Sequence, residues 1–460
     1  MPALLVDDAL VLTMVSRQDV LRNSALLVED GVITALGAEA RTRADAVERS
    51  GALLERLPAR GQWVLPGFVQ THIHLCQTLL RNGPDDLPLL PWLQGHVWPG
   101  EAAHDEETLE ISARLGLAEL VAGGTTALLD MGTVRHSDAI FRAASMSGLR
   151  VTSGNALMDD PSTNPPHLFA GTDAGLAETE RLVLKWHGRE EGRLRVAYCP
   201  RFAVSCTDAC LRQVAALARR NGLLVHTHAS ENRDEIELVR TRSGLANIAY
   251  LDHVGLTGPD VVLAHCVHTD EAERDLLAAT RTRVAHCPSS NLKLASGIAP
   301  VPEYLARGIH VSLGADGAPC NDRLDAFTEM RLAALLPKVR LGPSAISAWE
   351  VVRMATAGGA EALGLGHAIG TLEVGKRADF MLLDPDAGFA RPTGWRDDPY
   401  GPIVYSFDRS QVQSVYVDGR LRHHRTRGAV EGLLPSSAEV QSAVERLKRT
   451  QASLSREGAP

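Results

Sequence analysis

Eight short apolar runs punctuate the middle of this chain, at residues 63–69, 126–129, 150–153, 194–198, 223–226, 261–264, 283–285 and 310–313. Most are separated by stretches whose apolar residues recur at helical spacing, such as 108–121, 211–221 and 271–279. Strand alternating with helix eight times over roughly 250 residues predicts an α/β fold, a (β/α)8 barrel of the TIM type. An open doubly wound sheet alternates in the same way, but it wants a glycine-rich phosphate loop near its start. No G-x-G-x-x-G or Walker-type sequence follows any early run. In a barrel, the residues just past the strand ends carry the chemistry.

The chain has 460 residues, of which 45% are apolar, enough for a large core. A net charge of −9 offers no electrostatic case for nucleic acid, and the basic patch at 423–427 reads as a solvated turn. The apolar start carries Asp7 and Asp8 without a basic region before them, and no apolar run approaches membrane-spanning length. Seven cysteines without a C-x-x-C pair read as reduced thiols. A cytoplasmic protein is expected.

Outside the barrel, residues 1–60 read as short alternating strands, as at 9–14 and 25–33. The same holds for 378–383 and for 412–421 with its Asp418-Gly419 turn. Neither part has enough strands for a stable sheet alone, so the two are expected to meet in one small β-sandwich. The expected division is 1–60 for the first half of the sandwich, 61–366 for the catalytic barrel and 367–430 for the second half. A C-terminal unit, 431–460, completes it, with 436–455 a polar surface helix and 457–460 frayed.

Four places carry the chemistry. In Pro66-Gly67-Phe68-Val69-Gln70-Thr71-His72-Ile73-His74, the two histidines stand two apart, so a strand presents both imidazoles on one face. His228 and Glu231 follow the fifth run, His265 the sixth and Asp316 the eighth. Three neutral imidazoles and a carboxylate suit zinc, with iron as the competitor. His226 shares a face with His228 but lies deeper in its strand and reads as core. His286 repeats the pattern of His265 at the next strand end and reads as a supporting residue. Cys199, Cys206 and Cys210 read as buried structural thiols rather than a thiolate site.

At these residues the chain resembles the amidohydrolase superfamily, in the branch that deaminates nucleobases and nucleosides and includes the triazine hydrolases. The likeness extends to Gly370-Thr371-Leu372-Glu373-Val374-Gly375 and covers nearly everything before the last 30 or so residues. Within that branch it is most similar to deaminases of 5′-deoxyadenosine, 5′-methylthioadenosine and S-adenosylhomocysteine. Asp86-Leu87-Pro88-Leu89-Leu90, Trp98-Pro99-Gly100-Glu101 and Ser290-Asn291-Leu292-Lys293 carry that similarity.

The resemblance implies one divalent metal ion, Zn2+ or alternatively Fe2+, held by His72, His74, His228 and Asp316. It also implies a proton-transferring acid at Glu231, a water-orienting role for His265 and a second, proton-accepting role for Asp316. Glu101 matches a carboxylate that grips ribose hydroxyls. Arg201 with Phe202 stands where a His is usual and is similar to the base-holding pair of guanine deaminases. Asn155 replaces an Arg, and Cys320 replaces a Ser. The implied partner is a small purine nucleoside or base, with no nucleic acid and no membrane, and a homo-oligomer is the expected assembly. Guanine deamination and triazine hydrolysis are the alternatives on the same scaffold. The zinc cytidine-deaminase class is excluded, because its H-x-E with P-C-x-x-C signature is absent.

Overall fold

The computed structural model describes residues 2–393 and 397–457. Eight parallel strands form the central ring: β1 (Phe68–His74), β2 (Thr125–Asp130), β3 (Arg150–Ser153), β4 (Leu194–Val196), β5 (Val225–Ala229), β6 (Val261–His265), β7 (Arg283–His286) and β8 (Val311–Leu313). Ladders join β1 to β4 in order and β5 to β8 in order. Between β4 and β5 the connection is made by residues just past β4: Tyr198 bonds Leu224 and His226 at 2.9 Å each, and His228 N–H donates to the Arg201 carbonyl at 3.1 Å. Asp316 and Gly317, just past β8, pair with Ile73 and His74 of β1 and bring the ring back to its start.

All seven residues of β1 are buried, as expected of a strand packed on both faces. Helices cover the outside. Glu106–Ala122 begins with a reciprocal cap between Asp105 and Thr108 and stops at Gly123. The expected helices at 211–221 and 271–279 are Asp208–Asn221 and Glu271–Thr280.

The two chain-end segments meet as expected, in one mixed sheet that is continuous through Trp63–Pro66. The first apolar run therefore divides at Gly67: Trp63–Pro66 pairs in this side sheet, and the barrel strand starts at Phe68. A Cβ at Gly67 would overlap the side chain of Thr126, so only glycine fits the crossing. The strand-only reading of residues 1–60 is corrected, because Gly37–Arg49 is a helix whose Ala40 and Ala44 pack on Leu5 and Leu27. The Asp418-Gly419 turn is present, with both residues at positive φ.

Asp418 also ties the side sheet to the barrel. It pairs with Arg150 of β3 and with Arg193, 3.1 Å away, while Arg150 grips Asp379 at 2.7 and 3.0 Å. The C-terminal helix, Ser437–Glu457, buries Ala443 and Leu447 against Leu79, Ala103 and Ile111, more than a polar surface helix would. Of the stretch expected to fray, 458–460 lies outside the described residues.

Candidate active site

His72 and His74 end β1, His228 lies in β5, His265 ends β6, and Asp316 follows β8. The barrel brings them to one point. Ring centroids of His72 stand 4.9 Å from those of His74, 4.7 Å from His228 and 5.3 Å from His265. One donor atom each from His72, His228, His265 and Asp316 falls within 4.8 Å of the others. His74 enters from the side, its Nε2 3.2 Å from His228 Nε2 and 3.4 Å from Asp316 Oδ1. Gly314 lets the β8 loop reach β1, since a Cβ there would come within 2.7 Å of the His72 backbone.

Hydrogen bonds decide which nitrogen of each ring points inward. His226 Nδ1 faces the Val262 carbonyl at 3.1 Å and must donate to it, which leaves His226 Nε2 as an acceptor. His72 Nδ1 donates to that nitrogen at 2.8 Å, and His72 Nε2 is left as a lone pair 3.2 Å from Asp316 Oδ1. His228 Nδ1 donates to the Arg201 carbonyl at 2.6 Å, and His265 Nδ1 faces Asn291 Oδ1 at 2.8 Å. Ser290 donates to Asp316 Oδ2 at 2.6 Å.

The inward atoms His72 Nε2 and His265 Nε2 are buried without a hydrogen-bond partner. Unsatisfied buried nitrogens are costly, and several converging on a carboxylate form a nitrogen and oxygen set that fits a divalent cation. Burial holds the pKa of His74 and His228 well below the usual imidazole range and lowers that of His72, so these rings are neutral and able to ligate. Burial opposes charge on Asp316 too, but positive charge on the facing imidazoles, those of His72 and His265 first, would hold its carboxyl well below the ordinary value. His265 and Asp316 both sit at positive φ, strain of about 1–3 kcal/mol each that the packed barrel sustains.

Glu231 differs from Asp316. It is 4% exposed, and burial pushes its carboxyl up to about 7, against the pull of His265. His265 Nε2 lies 3.6 Å from Glu231 Oε2 and 3.8 Å from Asp316 Oδ2, between the two carboxyls. An acid able to hold a proton at neutral pH and an ionised carboxylate thus flank one imidazole.

A cleft opens over this group. Leu89, Trp92, Leu93, Phe202 and Leu294 supply its apolar wall, and Gln77, Arg201, Glu231, Asp316 and Cys320 its polar one. Of the residues expected to meet substrate, Arg201, Phe202 and Cys320 line the cleft. Glu101 and Asn155 do not. Glu101 stands behind Arg201, bonded to its guanidinium at 2.6 and 3.1 Å, and Asn155 donates to the Gly175 carbonyl at 3.2 Å.

His226 is buried and outside the ligand group, as its deeper strand position implies, but it sets the His72 tautomer. His286 is buried and shares no hydrogen bond with the group, and its Nδ1 has no partner. Cys206 and Cys210 are buried beside Asp159, away from the cleft, and Cys199 Sγ faces the Ala197 carbonyl. Sequence reasoning gave no role to Gln77, Asn291, Ser290 or the Leu89–Trp92 helix. The last three were visible only as parts of motif-length matches.

Comparisons with known proteins agree with this geometry. The chain is 41% identical over 362 residues to 5′-deoxyadenosine deaminase of Methanothermobacter thermautotrophicus, covering 78% of this chain and 82% of that one. It is 39% identical over 398 residues to the 5-methylthioadenosine/S-adenosylhomocysteine deaminase of Syntrophobacter fumaroxidans, covering 86% and 87%. An adenosine deaminase from Xanthomonas campestris with bound zinc superposes with a TM-score of 0.88 at 31% identity, covering 98% of both chains. The Amidohydrolase family profile matches residues 63–422. With that match over most of its length, the chain belongs to the amidohydrolase family.

Proposed function

We propose that this chain is a metal-dependent hydrolytic deaminase of purine nucleosides. Its substrates are of the 5′-deoxyadenosine type (5′-deoxyadenosine, 5′-methylthioadenosine, S-adenosylhomocysteine), and its products are the inosine analogue and ammonia. One observation carries the reading: a buried acid whose pKa stands near 7 shares His265 with an ionised Asp316, beside imidazoles whose lone pairs face inward. The names of the two relatives support the substrate class.

His72, His74, His228 and Asp316 would hold one Zn2+, with Fe2+ the alternative. Bound there, the ion supplies the charge that brings the pKa of a water towards 7. His265 orients that water between the two carboxyls. As its oxygen adds to the amidine carbon, Glu231 gives its proton to the adjacent ring nitrogen, and Asp316 accepts a proton from the water. Asp316 then passes this proton to the amino group, the carbon–nitrogen bond breaks, and ammonia leaves. The remaining water proton returns to Glu231. The apolar wall of Leu89, Trp92, Leu93 and Leu294 keeps bulk water from competing. A cytoplasmic setting is part of this reading, supported by seven cysteines that are all free and buried.

One observation favours a second reading, guanine deamination: Arg201 faces the cleft, and a guanidinium suits a carbonyl or ring-nitrogen edge. Ammonia release from a panel of adenine nucleosides, guanine and triazines decides between them. An adenine nucleoside turning over fastest is the expected result. Guanine turning over faster than every nucleoside transfers the assignment to the second reading, and a triazine as the sole substrate removes both.

A further inference from the structure

Arg201 is the one Lys or Arg among the residues lining the cleft, and its position is tightly held. Its Nη1 and Nη2 donate to Glu101 Oε2 and Oε1 at 2.6 and 3.1 Å, and Gln77 Nε2 donates to the same Oε1 at 2.7 Å. The side chains of Arg201 and Glu101 are 5% and 3% exposed. A carboxylate offers about four acceptor positions, and with the Cys76 thiol 3.8 Å from Oε1 four donors already meet this one. A guanidinium has five N–H donors, and two serve Glu101. Capacity for new polar contacts, and a place on the cleft wall, both belong to Arg201. The backbone of Arg201 is also pinned, because its carbonyl accepts from His228 Nδ1 at 2.6 Å.

We infer that, of the Arg201–Glu101 pair, Arg201 is the member that touches substrate, and that Glu101 is a positioning residue acting through Arg201 rather than a direct acceptor of ribose hydroxyls. The inference rests on the nucleoside reading only for its hydroxyl test. The bidentate fork fixes the plane of the guanidinium, which a flexible side chain does not keep alone. Loss of Glu101 leaves the cation in place but lets its plane wander.

A double-mutant cycle with Glu101→Gln and Arg201→Gln, run on the best substrate of the panel, tests this. Each single variant should lower kcat/KM by on the order of 10- to 100-fold, mostly through KM, and the double variant should be no worse than Arg201→Gln. Metal content should stay at the wild-type level in all three, which a collapsed site would not show. The loss from Glu101→Gln should persist, within about threefold, on a 2′,3′-dideoxy nucleoside. A loss that vanishes on the dideoxy substrate, or effects that multiply in the double variant, overturns the inference and returns Glu101 to the ribose. Should Arg201→Gln not fold, the dideoxy comparison with Glu101→Gln alone still decides. Failure of the nucleoside reading shows separately, as wild-type enzyme inactive on every adenine nucleoside, and the cycle then runs on guanine.

Discussion

Replacing Glu231 by Gln separates proton transfer from everything else the site does. The Glu231 side chain is buried: the residue's backbone N–H donates to Glu235 at 2.9 Å, and Ser296 Oγ donates to its Oε1 at 3.4 Å. A carboxamide has nearly the same size and keeps the acceptor that Ser296 meets, so position and fold are retained. What disappears is a dissociable proton, which burial holds on the native side chain up to about pH 7. General acid catalysis is worth roughly 10²–10⁴ in rate, or about 3–5 kcal/mol in the barrier. The expected result is therefore a kcat lower by that factor, with metal content, KM and melting temperature close to wild type. Ammonia assays over a range of substrate concentrations, elemental analysis and a thermal melt read these four quantities on one preparation. Activity within tenfold of wild type would refute the assignment of the acid. Loss of the metal would instead mean that Glu231 ligates, with its role and that of His228 exchanged.

Three further outcomes follow from the same geometry. Alanine at His72, His74, His228 or Asp316 should abolish most metal binding or most activity, and chelation should do the same to the native chain; elemental analysis beside the activity assay checks this, and full activity without metal sinks the reading. His226→Leu keeps the volume but frees His72 Nδ1 from its acceptor at 2.8 Å, so metal affinity should fall by roughly 10- to 100-fold in a competitive chelator titration; unchanged affinity refutes the tautomer relay. Asp418→Asn should destabilise the fold by about 3–5 kcal/mol near neutral pH, because Arg150 and Arg193 lose a buried partner.

The sign of the pH dependence at Asp418 is set by its partners. Burial opposes the charge, but the hydrogen bond from Arg377 and the charge of Arg150 hold its folded pKa below the ordinary 3.8. Its stabilisation is therefore present above about pH 4 and is lost as pH falls through the folded value. Asp418→Asn should flatten that acid limb in denaturant melts, and an unchanged limb would assign the loss to other carboxylates.

The sequence alone was enough for the barrel and for the set of residues that converge at its mouth. A strand repeats its side-chain direction every two residues, so His72 and His74 share a face wherever the strand ends up. Chemistry at strand ends follows from counting strands, and that count placed His228, His265 and Asp316 at the same mouth. Such features are local, written in spacing within a few residues. The C-terminal helix was legible for the same reason, but its buried Ala443 and Leu447 were not, since its partner surface is contributed by residues 79–111. Helix Gly37–Arg49 was missed because its composition is polar and only Ala40 and Ala44 mark its packed face.

Pairings between distant segments were decided by tertiary structure. Glu101 and Arg201 lie 100 positions apart and read as evidence for different substrates; barrel closure places them 2.6 Å from each other, and one then speaks through the other. His226 looked like filler until β1 and β5 came together and made its Nε2 the acceptor for His72. Asp418 read as half of a turn, and only the docking of the side sheet onto β3 turned it into the partner of Arg150. A side chain's type and period are carried by the chain itself, whereas its hydrogen-bond partner, its proton and its pKa depend on which remote group the fold delivers and on how completely water is excluded there.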